Sequence, residues 1–400
     1  MKRRLSRSRV RRYVAVIVAG CIGSVGAVAL CASGASGPTF TASRVPGGQT
    51  VAQIDPFAKK VLWAWTQNQA ALTGGSQEIE LTINAGTSWE NVTPPGLRVE
   101  SGDHWINGFF VLSPTRAWIV YGGVDKGPQT IESTSDAGRH WSTVGQLPQF
   151  YCGLQFTSPT DGTCTVYAGA GGSMGIAIYR TVDGGAHWAH IFNSYMTEAS
   201  LSKRTPKNSL PFECDKSIDF INATKGWALF YCNADLVIIY RTTDGGVKWT
   251  PCVIAPASLK TEGGGFPSPL VLSGNHGAVG YEGGKYSVIY VTDDGGTSFH
   301  AVSPPGKRRP WNVDVLTPRV WRLAYKTTIM ATNDAGESWF TISSDANSVS
   351  KPRKYAASAP PINFATDTRA WLTQNNELLR TTDDGKLWKR VPVPGTSQVG

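Results

Sequence analysis

TVDGGAHW, Thr181 to Trp188, decides the fold, because its pattern of Thr, any residue, Asp, any residue, Gly, two more residues and an aromatic occurs seven times. The other copies are TINAGTSW (Thr82 to Trp89), TSDAGRHW (Thr134 to Trp141), TTDGGVKW (Thr242 to Trp249), TDDGGTSF (Thr292 to Phe299), TNDAGESW (Thr332 to Trp339) and TTDDGKLW (Thr381 to Trp388). The third position, occupied by Asn84, Asp136, Asp183, Asp244, Asp294, Asp334 and Asp383, places a short acceptor where a tight turn leaves backbone N–H groups unpaired. Asn84 keeps that geometry through its amide oxygen and loses only the charge. Gly permits a positive φ, Thr adds a second local hydrogen bond, and the aromatic returns apolar surface to the sheet. Successive third positions lie 52, 47, 61, 50, 40 and 49 residues apart, so seven repeats account for the chain from about residue 50 onward.

Upstream of each turn lies a second pattern: apolar residues around one central residue, a short polar turn, then a small residue and often Trp. SIDFINATKGW (Ser217 to Trp227), PINFATDTRAW (Pro361 to Trp371) and FVLSPTRAW (Phe110 to Trp118) show it best. Each unit therefore reads as four antiparallel strands, A to D, with the repeated turn between C and D. Sheets of this kind repeated radially make an all-β, seven-bladed propeller, which needs no partner copy to complete its core and is expected to be monomeric. Blade boundaries are expected near residues 52, 104, 150, 212, 266, 311 and 360. Residues 36–51 are a linker or a closing strand, and residues 52–400 are the propeller.

Residues 1–35 are set apart by charge. Lys2, Arg3, Arg4, Arg7, Arg9, Arg11 and Arg12 precede the uncharged stretch Tyr13 to Ala32, which is long enough to cross a bilayer. A signal peptide cleaved near Ala32 to Ala35, an uncleaved transmembrane anchor, and lipidation at Cys21 all remain open. Each puts the body outside the cytoplasm, because the basic end stays inside. Without those seven basic residues the formal charge falls from +9 to +2, which removes the compositional case for nucleic-acid binding.

The repeated turn resembles the bacterial neuraminidase repeat, or Asp box. Its even spacing and the small-residue–Trp hairpin resemble propellers of the photosystem II assembly-factor type. That resemblance implies a non-catalytic scaffold for a membrane complex. Sialidases, xyloglucanase-type glycosidases and sortilin-type receptors share the box, so a glycosidase is the alternative. For that alternative the candidate carboxylates are Asp55, Asp219 and Asp314, each at the centre of a strand-A pattern where other repeats carry Gln155 and Asn363. A polar residue recurring at one repeat position points instead to hydrogen bonding between blades. Arg180, Arg241 and Arg380 suggest a sialidase triad, yet each directly precedes a turn Thr, and a solvated strand end is expected. Gly171 to Gly175 matches G-x-S-x-G formally but lies between two strands, not before a helix. Gly263 to Gly265 opens no helix, and the six histidines show no metal-ligand spacing, so neither cofactor nor metal is expected.

Binding is expected on the face formed by the D-to-A connections. Lys203, Arg204 and Lys207 follow blade 3, Lys307, Arg308 and Arg309 follow blade 5, and Lys351, Arg353 and Lys354 follow blade 6, with Trp311 and Tyr355 beside them. Arginine with aromatic residues suits an interface, here with an acidic protein, polysaccharide or membrane-complex partner. Among the cysteines, Cys214 and Cys232 fall almost opposite each other if Phe220 pairs with Trp227, and Cys152 with Cys164 is a looser second pair.

Overall fold

The computed structural model describes residues 49–57, 60–68, 77–97, 105–122, 128–147, 152–169, 174–194, 208–211, 215–231, 237–254, 265–267, 270–283, 286–305, 312–324, 329–343, 362–364, 368–374 and 377–393. Each repeat forms one antiparallel sheet with its strands in chain order, and seven sheets make a seven-bladed β-propeller. The blades span Gln49–Asn91, Trp105–Leu147, Cys152–Asn193, Asp215–Ile254, Gly265–Val302, Asn312–Ser343 and Ile362–Val391. Blade 5 divides its first strand into Gly265–Pro267 and Val271–Ser273, both paired with His276–Gly283. Among the described residues the only helical element is a 3-10 turn at Pro95–Leu97, and no helix is long and apolar enough to cross a membrane. The stretch Tyr13 to Ala32 lies outside the described residues.

Blades meet face to face because side chains alternate along a strand. In blade 4, Ile218, Phe220 and Ala228 pack with Ile176 and Ile178 of blade 3. Trp227, Leu229 and Ile239 pack forward onto Leu270, Val279 and Val288 of blade 5. The B-strand indoles of Trp63, Trp118, Trp227, Trp321 and Trp371 are all buried in such seams. The turn aromatics, which the sequence also expects to be buried, mostly are not. Trp249 and Trp388 are buried, whereas Trp89, Trp141, Trp188, Phe299 and Trp339 are half-buried. These residues stand at the start of the outermost strand, where one flank faces water.

The small residue before the tryptophan has a steric cause. Gly226 lies opposite Phe220, and a Cβ on it would stand 2.6 Å from that ring. Gly162 has the same relation to Phe156, and Gly277 to Leu272 at 2.7 Å. Strand A lays its apolar side chain across a position that must be nearly empty. The true partner of Phe220 is therefore Gly226, and Trp227 opposes Asp219, one residue from the expected register. Cys214 and Cys232 lie outside the described residues. Each is one residue beyond the pair Asp215 and Tyr231, where the described register ends. In blade 3, Cys164 opposes Leu154 and Cys152 opposes Val166, so the two cysteines are diagonal neighbours, with Cα atoms 5.3 Å apart and within disulfide reach.

Every blade takes its strands from one contiguous segment, so closure of the ring rests on packing. At the closing seam Val51, Ile54, Leu62, Ala64 and Ala85 of blade 1 meet Trp371, Leu378, Val391 and Val393 of blade 7. Among the described residues no strand before β1 (Gln49–Phe57) joins blade 7, whose sheet ends with its own Lys389–Val391.

Candidate functional site

The repeated turn has the same hydrogen bonds in all seven copies. Each Thr hydroxyl donates to the third-position side chain, from Thr82 to Asn84 at 2.9 Å through Thr381 to Asp383 at 2.7 Å. The same hydroxyl accepts from a Gly N–H four residues on, at 2.8 or 2.9 Å. The third-position oxygen accepts a backbone N–H from the residue before the aromatic, for example Ser88, His140 or Lys248. These bonds hold the Asp136 carboxyl at about 2, led by the His140 amide, and Asp334 at about 2, led by the Ser338 hydroxyl. These donors all belong to the turn itself.

The second turn glycine has a further task. Gly296, at φ +78°, faces the Trp227 indole of the preceding blade, and a Cβ there would stand 2.3 Å from the ring. Trp227 Nε1 donates to the Gly296 carbonyl at 3.3 Å, and Trp118 does the same to Gly184 at 3.0 Å. In blades 3 and 5 the turn thus seals onto the B-strand indole of the blade behind it.

Arg180, Arg241 and Arg380 are not solvated strand ends. Arg180 bonds Asp161 at 3.2 Å and lies over Gly245 in the turn of blade 4. Arg241 donates to Thr297 in the turn of blade 5, and Arg380 to the Ala85 carbonyl in blade 1. Each arginine reaches the turn of the next blade, and Arg380 spans the closing seam while lying 5.8 Å over Trp371. The recurrence of Arg immediately before Thr in three copies was the sequence signal for this role.

Inner-strand polar residues also face seams. The Gln155 amide donates to the Phe220 carbonyl at 3.0 Å and accepts from the Phe220 N–H at 2.9 Å, so one side chain imitates a peptide pair across blades 3 and 4. Gln77 does likewise with the Ile106 backbone of blade 2. Asp55 accepts from Gln53 at 2.7 Å, and Gln53 also reaches the Phe109 carbonyl of blade 2. Burial raises the Asp55 carboxyl to about 7 despite that hydrogen bond. Asp219 is raised to about 7 by burial and has no hydrogen-bond partner among the described residues. It shares a face with Trp227 in the seam between blades 4 and 5. Asp55 and Asp219 therefore occupy different seams. Asp314 opposes Arg322 in the backbone register of blade 6.

Lys203, Arg204, Lys207, Lys307, Arg308, Arg309, Trp311, Lys351, Arg353, Lys354 and Tyr355 all lie outside the described residues. Of the G-x-S-x-G match, Met174 opens a strand that pairs antiparallel with Gly162–Gly169, which makes the segment a hairpin connection.

No protein-family model matches the chain, and no curated protein matches it in sequence. Solved structures do. YCF48 bound to a D1 peptide is 16% identical with a TM-score of 0.53, over 88% of this chain and 99% of that one. YCF48 from Cyanidioschyzon merolae is 14% identical with a TM-score of 0.51, over 88% and 100%. The GH74 xyloglucanase from Xanthomonas campestris is 16% identical with a TM-score of 0.52, over 86% of this chain and 54% of that one. At these identities the likeness establishes a shared propeller fold, and this chain spans about half the length of the xyloglucanase.

Proposed function

We propose that this chain is a non-catalytic binding scaffold outside the cytoplasm, presenting the basic connections after blades 3, 5 and 6 to an acidic protein partner. The observation that carries this reading is the placement of Asp55 and Asp219 in separate interblade seams, each with a protonation state set by burial. Retaining and inverting glycosidases need two carboxyl groups roughly 5 to 10 Å apart across an open cleft. Two further facts support the reading: the match runs the full length of YCF48, solved with a bound peptide, but covers half of a xyloglucanase. Polysaccharide is the second candidate ligand, since the same basic groups would hold an acidic glycan.

Capture of membrane proteins by the full chain tests this. Replacing Lys307, Arg308 and Arg309 by Ser is expected to weaken capture at low salt while leaving the unfolding midpoint unchanged. Capture that survives both the triple change and high salt overturns the basic-rim assignment. Location is tested separately by non-reducing peptide mapping of protein from the native host. Bridges Cys152 to Cys164 and Cys214 to Cys232 are expected, with Cys252, whose thiol burial raises to about 11, left free. Fully reduced cysteines would contradict an oxidising compartment.

A further inference from the structure

Each blade ties its repeated turn to its own A-to-B turn by a backbone hydrogen bond. The Ala85 N–H donates to the Lys60 carbonyl in blade 1, Gly245 to Thr224 in blade 4 and Asp384 to Thr368 in blade 7, and the other four blades repeat the bond. Both kinds of turn therefore share one face of the ring. Of the six exposed large hydrophobic side chains among the described residues, five stand in these turns: Ile83, Val182, Ile221, Val247 and Leu387, at 42% to 67% exposure. The second turn position, which holds Ile83 and Val182, is polar in the other five copies, so the turn itself does not require an apolar residue there.

Four of the five stand beside a lysine. Ile221 donates its N–H to the Lys225 carbonyl at 3.1 Å, Val247 precedes Lys248, Leu387 follows Lys386, and the bond from Ala85 brings Lys60 to the turn of Ile83. All four lysines are exposed, and none makes an ion pair among the described residues. The aspartates of the same turns are engaged locally: Asp183, Asp244 and Asp383 accept from turn N–H groups, and Asp384 pairs with Arg322. Blades 7 and 1 share the closing seam, and blades 3 and 4 share a seam on the far side of the ring. The turns of blades 5 and 6 have no exposed large hydrophobic residue among those described and carry exposed Asp293 and Glu337.

We propose that this turn face docks on an anionic lipid bilayer through blades 7, 1, 3 and 4. Single apolar side chains at opposite edges of a face make a poor protein groove, which needs contiguous area. A bilayer is planar and fluid, so separate turns on one face enter it together. Each aliphatic side chain then reaches the acyl boundary, and the neighbouring ammonium meets lipid phosphate with its stem along apolar surface. The lysines supply the charge complementarity, each adding about fivefold in partition near an anionic surface. The line between the two contact points leaves exposed Arg139 of blade 2 on one side and Asp293 and Glu337 on the other. Repulsion therefore tilts blades 5 and 6 away from the lipid.

Methyl NMR of the full chain, with labelled Ile, Leu and Val and bicelles carrying a nitroxide lipid, tests the surface. Bicelles of phosphatidylcholine and phosphatidylglycerol are expected to broaden the methyl signals of Ile83, Val182, Ile221, Val247 and Leu387, and to spare buried Ile178. Phosphatidylcholine alone should broaden them far less, so attachment of any other segment to lipid does not imitate the result. Replacing Lys60, Lys225, Lys248 and Lys386 by Gln should weaken the anionic interaction by more than about tenfold, with the unfolding midpoint unchanged. Absent broadening, equal broadening by neutral bicelles, or broadening that survives the four lysine changes overturns the proposal. Shifts of these signals with a soluble acidic protein but with neither bicelle would also overturn it, and would assign the face to a protein partner.

Discussion

Blades 4 and 6 share a strand-A pattern, an aspartate between apolar residues, yet they turn opposite faces of strand B toward their neighbours. Asp219 pairs with Trp227, eight residues on, whereas Asp314 pairs with Arg322, because the turn that ends at Trp321 is one residue shorter. Side chains alternate with a period of two, so that single residue moves every B-strand side chain to the other face. Trp227 consequently packs forward against blade 5, while Trp321 packs backward against Ala278, Ile289 and Val291, also of blade 5. Arg322, 3% exposed, takes the forward position that an indole fills in blade 4. Its Nε donates to Asp384 in the turn of blade 7 at 3.1 Å, and Nη1 donates to the Trp321 carbonyl. Turn length, and not the motif itself, assigns a residue to its seam.

The largest expected effect tests that assignment directly. Trp227→Ala and Trp321→Ala should each cost about 3 to 5 kcal/mol in urea unfolding, as for other buried tryptophans. Hydrogen exchange should then separate them. Loss of Trp227 should loosen blades 4 and 5, and loss of Trp321 blades 5 and 6. Faster exchange in blade 7 after Trp321→Ala would mean that the face assignment is wrong.

Arg322→Ala should cost about 3 kcal/mol, at the low end for breaking a buried ion pair because Asp384 is partly exposed. Its exchange signature should appear in the turn of blade 7. A cost below about 1 kcal/mol would place the pair with ordinary surface bridges.

The effect confined to one pH window concerns the aspartate common to both blades. Asp219 has a folded-state value of about 7 against 3.8 for the free group, so the folded chain keeps a proton that the unfolded chain releases. Stability should therefore fall as pH rises from about 4 to about 7 and level off beyond. Asp219→Asn removes that dependence: the variant should gain on the native chain across this window and show no gain below it. A difference independent of pH would assign the group an ordinary carboxyl environment.

Much of the ring was legible in the sequence because a tight turn makes local demands. Thr, Asp or Asn, and Gly at fixed offsets satisfy hydrogen bonds closed within a few residues, and seven copies imply seven sheets. The register was legible only to within one residue, since the emptiness required beneath Phe220 shows only after strand A lies across Gly226. The recurrence of Arg180, Arg241 and Arg380 before a turn Thr marked a shared role, but their partners lie in another blade, at separations that local patterns do not encode.

The sequence by itself thus determined the number of blades, their strand order and the chemistry of each turn, all of which depend on contacts between near neighbours. The tertiary structure alone decided which side of each blade a residue faces and which seam Asp55 and Asp219 each occupy. Those outcomes depend on turn length and on packing between sheets, where a single residue reverses a face and only the closed ring fixes what lies opposite.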